Sequence, residues 1–315
     1  MQYAYITAND GCKLAFQTSL PSSISAPGAP QPKCCVLLLH GFSGSSLYFK
    51  RNVSFISSKD RWVVAPDMRG HGESGRTQGG YHVARLAADL RQIVAHLRSL
   101  SRPDLKIIPV GCSIGAAVLW TYVELFGCDD FTAFVFVDQA PLQDRSPFGN
   151  WDLTRAHKGC FDEATTRSAQ ELWIQDSAAA HRNLVQSSLG YLHAPSADDA
   201  VSEEQKEEDM RFFVGISALC DQEWLAKLIS DHTRYDHREA AELIDRPTLV
   251  VYGKRSGCFT YEGVSETAVR VNRKCQGRKL SLVVQFDSGH WLFYEQPERF
   301  NLEIVEFINS CVIGV

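Results

Sequence analysis

The stretch Lys106-Ile107-Ile108-Pro109-Val110-Gly111-Cys112-Ser113-Ile114-Gly115-Ala116-Ala117 decides how the rest of the chain is read. An apolar β-type run, 106–110, ends at a glycine, and a helical pattern over 114–126 starts almost at once. Gly-x-Ser-x-Gly alone arises by chance. At a strand-to-helix junction it means more, because small residues on both sides allow a turn tight enough to lift the serine side chain clear of the sheet. Ser113 would then stand at a helix N-terminus, where unpaired N–H groups and the helix dipole favour a developing negative charge. The competing reading is an ordinary turn serine flanked by glycines.

Outward from this junction, strand-like runs recur at 3–7, 13–18, 34–39, 62–65, 131–137, 248–252 and 280–286. The first two alternate, as an antiparallel hairpin does. Val36-Leu37-Leu38-Leu39 and Phe134-Val135-Phe136-Val137 are continuous apolar runs, expected of strands covered on both faces. Helical patterns at 47–58, 83–100, 114–126, 262–273 and 297–310 fall between them. Strands alternating with helices predict an α/β fold with a mostly parallel eight-stranded sheet flanked by helices. The Pro- and Ser-rich stretch 21–32 reads as an exposed connector. Between 138 and 246 the pattern is helical with no convincing strand, so 141–245 is expected to be an inserted helical lid on a core made of 1–140 and 246–315. Its aromatic residues, Trp151 among them, are candidates for a pocket wall, although many would only pack the insertion onto the core.

Composition narrows the function class. Of 315 residues, 44% are hydrophobic and 22% charged, and the formal net charge is −5 without a block of one sign. That profile excludes a basic nucleic-acid footprint and a polybasic membrane patch. No apolar run is long enough to span a bilayer. The expected partner is a small-molecule substrate, and the sequence says nothing about oligomeric state. Residues 1–10 lack a basic start and an apolar stretch, so the expected location is cytoplasmic. The ten cysteines are scattered without a paired spacing, and neither they nor His232 and His237 have a metal-ligand pattern, so no metal and no cofactor is expected. Cys112 precedes Ser113 and should point away from it.

Four motifs together resemble the α/β-hydrolase superfamily over nearly the whole chain outside the insertion. They are His40-Gly41-Phe42 after the third strand, Pro66-Asp67-Met68-Arg69-Gly70-His71-Gly72-Glu73-Ser74 after the fourth, the serine turn, and Gly289-His290-Trp291 after the last. The resemblance implies a serine hydrolase with Ser113 as nucleophile and His290 as general base, a task that suits imidazole with its near-neutral pKa. It also implies that the backbone N–H groups of Phe42 and Ile114 form the oxyanion hole, and that the Asp67–Ser74 turn is structural. Gly41, Phe42, Trp151 and Trp291 become candidate substrate contacts.

One family feature is missing. The acid that usually follows the seventh strand is replaced by Gly253-Lys254-Arg255-Ser256-Gly257. Asp138, at the end of the sixth strand, is the expected substitute, as in certain lactonases and dehalogenases; Val137-Asp138-Gln139-Ala140-Pro141 also resembles cofactor-free chloroperoxidase-like esterases. Asp144, Glu262 or no acid at all remain open. The expected activity is cleavage of an ester or lactone bond of a small apolar or aromatic substrate. A carbon–carbon hydrolase of a diketone, or a non-catalytic small-molecule receptor, would carry the same motifs.

Overall fold

The continuous apolar runs sit in the middle of one eight-stranded sheet. In this computed structural model, which describes residues 1–20, 31–58, 60–193, 201–273 and 280–313, the strands are β1 (Gln2–Thr7), β2 (Lys13–Thr18), β3 (Cys34–Leu39), β4 (Arg61–Pro66), β5 (Lys106–Cys112), β6 (Phe134–Val137), β7 (Thr248–Gly253) and β8 (Ser281–Phe286). Their spatial order is β1-β2-β4-β3-β5-β6-β7-β8. β1 pairs antiparallel with β2 and β2 with β4; every later pairing is parallel. Connector residues 21–30 lie outside the described residues.

Side-chain alternation divides the core between the two faces. Cys35, Leu37, Ile107, Phe134 and Phe136 point to one side, against α2 (Val83–Leu100), α3 (Ile114–Phe126) and α9 (Tyr261–Arg273). Val36, Leu38, Ile108, Val135 and Val137 point to the other, against α1 (Val53–Ile56) and α11 (Pro297–Ile313). This two-sided burial accounts for the absence of polar residues along the runs in β3 and β6.

Two local expectations shift. The helix expected over 47–58 is a single 3-10 turn, Ser46–Phe49, followed by the four-residue α1. The Asn52 side chain between them donates to Phe293 O and Asn301 Oδ1, both at 2.9 Å, so tertiary anchoring outweighs local periodicity. The strand expected from Phe131 begins at Phe134, because the Phe131 N–H turns back to Cys128 O.

Between β6 and β7 the described residues form helices α4 (Glu163–Gln175), α5 (Ser177–Ser188), α6 (Glu203–Ala218), α7 (Gln222–Arg234) and α8 (Arg238–Glu242), with no strand among them. Asp162, Asp176, Ser202 and Asp221 each cap a helix by accepting a backbone N–H of its first turn. α4 packs on α7 and α5 on α6. A short α10 (Leu292–Glu295) follows β8. The described cysteines are free thiols, most of them buried, and no helix among the described residues is long and apolar enough to cross a membrane.

Candidate active site

Ser113 links β5 to α3 with φ 53° and ψ −123°, a conformation that side-chain-bearing residues rarely adopt. The turn closes only because its neighbours lack side chains. A Cβ on Gly111 would stand 2.6 Å from Gly115 O, and one on Gly115 would stand 2.7 Å from Leu39 O. The Ser113 N–H is tied to Val137 O at 3.1 Å, which fixes the turn to the sixth strand. The serine borders a cavity of about 310 Å3 that His290 also borders. Its hydroxyl makes no hydrogen bond to another described residue; catalytic hydrogen bonds are often long before substrate binds.

The backbone N–H groups of Phe42 and Ile114 likewise donate to none of the described residues. Ile114 is the first residue of α3, so its N–H has no helical acceptor. Gly41 does not border the cavity. It brings the β3 loop against Ser113, whose Cβ would stand 3.3 Å from a Cβ at Gly41. The neighbouring His40 accepts the Met68 N–H at 3.0 Å on Nε2 and donates from Nδ1 to Gly41 O at 2.8 Å. Burial lowers its pKa to about 4, so it holds the loop as a neutral ring.

Asp138 follows β6 at φ 46° and is fully buried. Its Oδ2 lies 2.7 Å from His290 Nδ1 and accepts the Ser256 hydroxyl at 2.7 Å, while Oδ1 accepts the Gly253 N–H at 3.1 Å. A carboxylate on Nδ1 holds the proton there and leaves the Nε2 lone pair free to act as a base. The loop after β7, where an acid is absent, supplies donors to the acid on β6. Ser256 Oγ in turn accepts the N–H groups of Cys258 and Phe259, both at 3.2 Å. Sequence reading missed Ser256 because a loop hydroxyl has no distinctive pattern. The alternative acids lie elsewhere: Asp144 accepts the N–H of Arg145, and Glu262 is exposed on α9.

The histidine loop is also bonded to the helices between β6 and β7. The His290 N–H donates to Ser188 O at 2.7 Å, at the end of α5. Glu295 accepts the Gly289 N–H at 2.8 Å and the Gly190 N–H at 2.9 Å, joining both segments; burial raises its pKa to about 7 against the pull of those donors.

Besides Gly41, the cavity wall corrects two more expected contacts. Trp151 and Trp291 are buried and do not border the cavity. Trp291 stacks on Phe213 with ring centroids 3.8 Å apart, and Trp151 packs near the guanidinium groups of Arg155 and Arg238. Phe42 does border it, edge-on to Trp173 of α4. Further apolar contributions include Ala169, Leu172 and Trp173 on α4 and Ala180 and Leu184 on α5. Their spacing on the two helices is the three- and four-residue repeat of one helix face, a signal that could have found this wall.

The remaining motif residues are occupied elsewhere. Asp67 accepts the Ser46 N–H at 2.6 Å and the Glu73 N–H at 2.9 Å, Arg69 pairs with Asp89 and Asp10, and His71 Nδ1 lies 2.9 Å from Arg69 O; none borders the cavity. Burial pushes the Cys112 thiol well above its ordinary range. His237 Nε2 lies 3.0 Å from the Thr121 hydroxyl in the core, whereas His232 stands in the cavity wall, so both are buried.

A family model described as alpha/beta hydrolase fold matches residues 35–297. The chain is 22% identical, over 97% of its length and 99% of the relative's, to a non-heme haloperoxidase of Rhodococcus erythropolis. Similar solved structures include an esterase from Exiguobacterium antarcticum (TM-score 0.78, 17% identity, 97% and 99% of the two chains covered). Another is the enol-lactonase from Burkholderia xenovorans (TM-score 0.73, 16% identity, 97% and 99% covered).

Proposed function

This chain belongs to the α/β-hydrolase family of enzymes, and we propose that it is a cofactor-independent serine hydrolase that cleaves an ester or lactone bond of a small, neutral, apolar or aromatic substrate. The observation that carries this reading is the buried Asp138 carboxylate 2.7 Å from His290 Nδ1, with His290 and Ser113 bordering one cavity. In this reading His290 Nε2 takes the Ser113 proton as the oxygen attacks the acyl carbon. The Phe42 and Ile114 N–H groups receive the tetrahedral oxyanion, each contributing about 3 kcal/mol to transition-state stabilisation. The imidazolium, stabilised by Asp138, then protonates the leaving oxygen, and water attacks the acyl-enzyme by the same route in reverse.

The choice of substrate class rests on the wall. Among the described residues that border the cavity there is no Asp, Glu, Lys or Arg, so an ionic substrate would lose its hydration without a counter-charge. Residues 141–245 serve in this reading as a cap over the carboxyl ends of the strands, with 1–140 and 246–315 as the core. The relatives named as an esterase and an enol-lactonase agree in bond type.

A fluorophosphonate probe tests the reading. Prompt labelling of the full chain that disappears in Ser113→Ala is the expected result, followed by turnover of some member of a panel of p-nitrophenyl esters and lactones. Absence of labelling in the folded wild-type protein would leave a binding protein rather than an enzyme.

A further inference from the structure

The cavity is lined by polar side chains at Asn183, Ser187 and Thr233 and also by a polar cluster next to the Phe259 ring, which contacts His290 as well. His157, Gln143 and His232 make up that cluster, and all three border the cavity. The His157 N–H donates to Gln143 O at 2.8 Å, so these two are held side by side. His157 Nδ1 accepts the Gly159 N–H at 2.9 Å, which places the proton of the neutral ring on Nε2. That Nε2–H makes no hydrogen bond to a described residue, and the ring is flanked by Phe161 and Phe259, which also border the cavity.

Gln143 has the complementary polarity. Its Nε2 lies 2.9 Å from His232 Nε2 and 3.5 Å from His232 O. A carbonyl next to it requires the amide nitrogen on that side, so Oε1 is the end turned away, and it too has no described donor. His232 is 6% exposed, and its Nδ1 is buried without a partner. The wall therefore offers a donor and an acceptor on two residues joined by a backbone hydrogen bond, in surroundings that hold both histidines neutral with pKa values lowered to about 3 by burial.

We infer that His157 and Gln143 form a subsite for a neutral hydroxyl group of the substrate outside the scissile bond, the hydroxyl accepting from His157 Nε2–H and donating to Gln143 Oε1. A ketone or ether would satisfy only the donor and leave Gln143 Oε1 unpaired. A carboxylate would meet that carbonyl with no cation to offset it. The inference deepens the hydrolase reading, because it takes the same cavity as the substrate site.

Its test uses binding rather than turnover, so that it can fail independently. In Ser113→Ala protein, isothermal calorimetry compares methyl 4-hydroxybenzoate, 4-hydroxyphenylacetate, 3-(4-hydroxyphenyl)propanoate and 4-(4-hydroxyphenyl)butanoate with their phenyl and 4-methoxyphenyl counterparts. For at least one tether length the hydroxyl compound is expected to bind roughly tenfold or more tightly than its phenyl parent, with the methoxy compound recovering only part of that gain. His157→Phe and Gln143→Leu, each made in the Ser113→Ala protein and checked for cooperative melting, should each bring the ratio close to one. Equal binding of hydroxyl and phenyl compounds across the series overturns the subsite. So does a methoxy compound that matches the phenol, or a preference that survives both substitutions. Failure of the hydrolase reading shows instead as absent probe labelling of wild-type protein, whatever the calorimetry gives.

Discussion

Asp138→Asn is the most searching perturbation of the site, because three donors converge on two oxygens. Gly253 N–H reaches Oδ1, while the Ser256 hydroxyl and His290 Nδ1 reach Oδ2. Asparagine has one acceptor oxygen. If that oxygen stays on Gly253, the new NH2 faces His290, which can accept it only by moving its own proton to Nε2. The ring then meets Ser113 as a donor and cannot act as its base. If the amide turns the other way, the NH2 opposes the Gly253 N–H, and a buried donor is left unsatisfied at a cost of about 1–3 kcal/mol. The first arrangement keeps the rigid Gly253 N–H paired and displaces only the Ser256 hydroxyl, which can rotate, so the expected outcome is a folded protein with the wrong tautomer. A tautomer error of this kind lowers kcat by about 10^4, or about 5.5 kcal/mol in the barrier. The assay is kcat/KM on the p-nitrophenyl ester that wild-type protein turns over best, with urea unfolding measured alongside. A loss below about tenfold, or one explained entirely by the unfolded fraction, would refute the assignment of Asp138 as the triad acid.

Three further outcomes concern the scaffold. Arg69→Ala leaves the buried Asp89 with only Arg85, and should cost about 3 kcal/mol in urea unfolding while kcat/KM of the folded fraction stays within about twofold; equal stability would mean that this network is incidental. Glu295, with a folded pKa of about 7 against an ordinary 4.5, contributes stability that is full below pH 4.5 and lost as pH rises through 7, by at most about 3 kcal/mol. Glu295→Gln should therefore gain melting temperature relative to wild type as pH rises from 5 to 8.5, and a gap that does not change with pH would count against a protonated carboxyl. His40, His71, His232 and His237 titrate in the opposite sense: burial lowers their pKa values from 6.5 to about 4, 3, 3 and 3. Their contribution is present above pH 6.5 and lost as pH falls toward 4, with a limiting slope of about 1.4 kcal/mol per pH unit for each. Four such groups outweigh Glu295, so unfolding free energy should fall between pH 6.5 and 4.5; a flat or rising profile there would contradict neutral burial.

Much of the fold could be read in the sequence because the parallel strands are buried on both faces and so lack alternating polar residues. β3 and β6 stand out for that reason, and with the glycine-flanked turn they locate Ser113. What was misread has a common origin. Trp151 and Trp291 carry motif or insertion positions that suggest a pocket, yet where a large ring points depends on partners far away in sequence, Phe213 for Trp291 and the two arginines for Trp151. The helix expected over 47–58 fails likewise, through Asn52 and its bonds to residues about 250 positions away. Ser256 and the Gly253 N–H have no pattern to recognise, since one is a small loop residue and the other acts through its backbone.

The proposed role of Asp138 as a displaced acid connects these observations. With the carboxylate just after β6, the end of β7 and the loop beyond it become its support: the Gly253 N–H and the Ser256 hydroxyl orient the Asp138 oxygens, and two backbone N–H groups orient the Ser256 oxygen. Such a chain fixes the direction of each lone pair before substrate arrives, which is how an oriented dipole contributes to catalysis without reorganising. The histidine at the other end is held by the segment between β6 and β7, through Ser188 O and the Glu295 bridge between Gly190 and Gly289. Displacing α5 therefore strains the loop that carries His290, so the elements that enclose the cavity and those that align the base are mechanically one unit. A substitution at the end of α5 should then change kcat as well as KM, whereas a wall that only bound substrate would change KM alone.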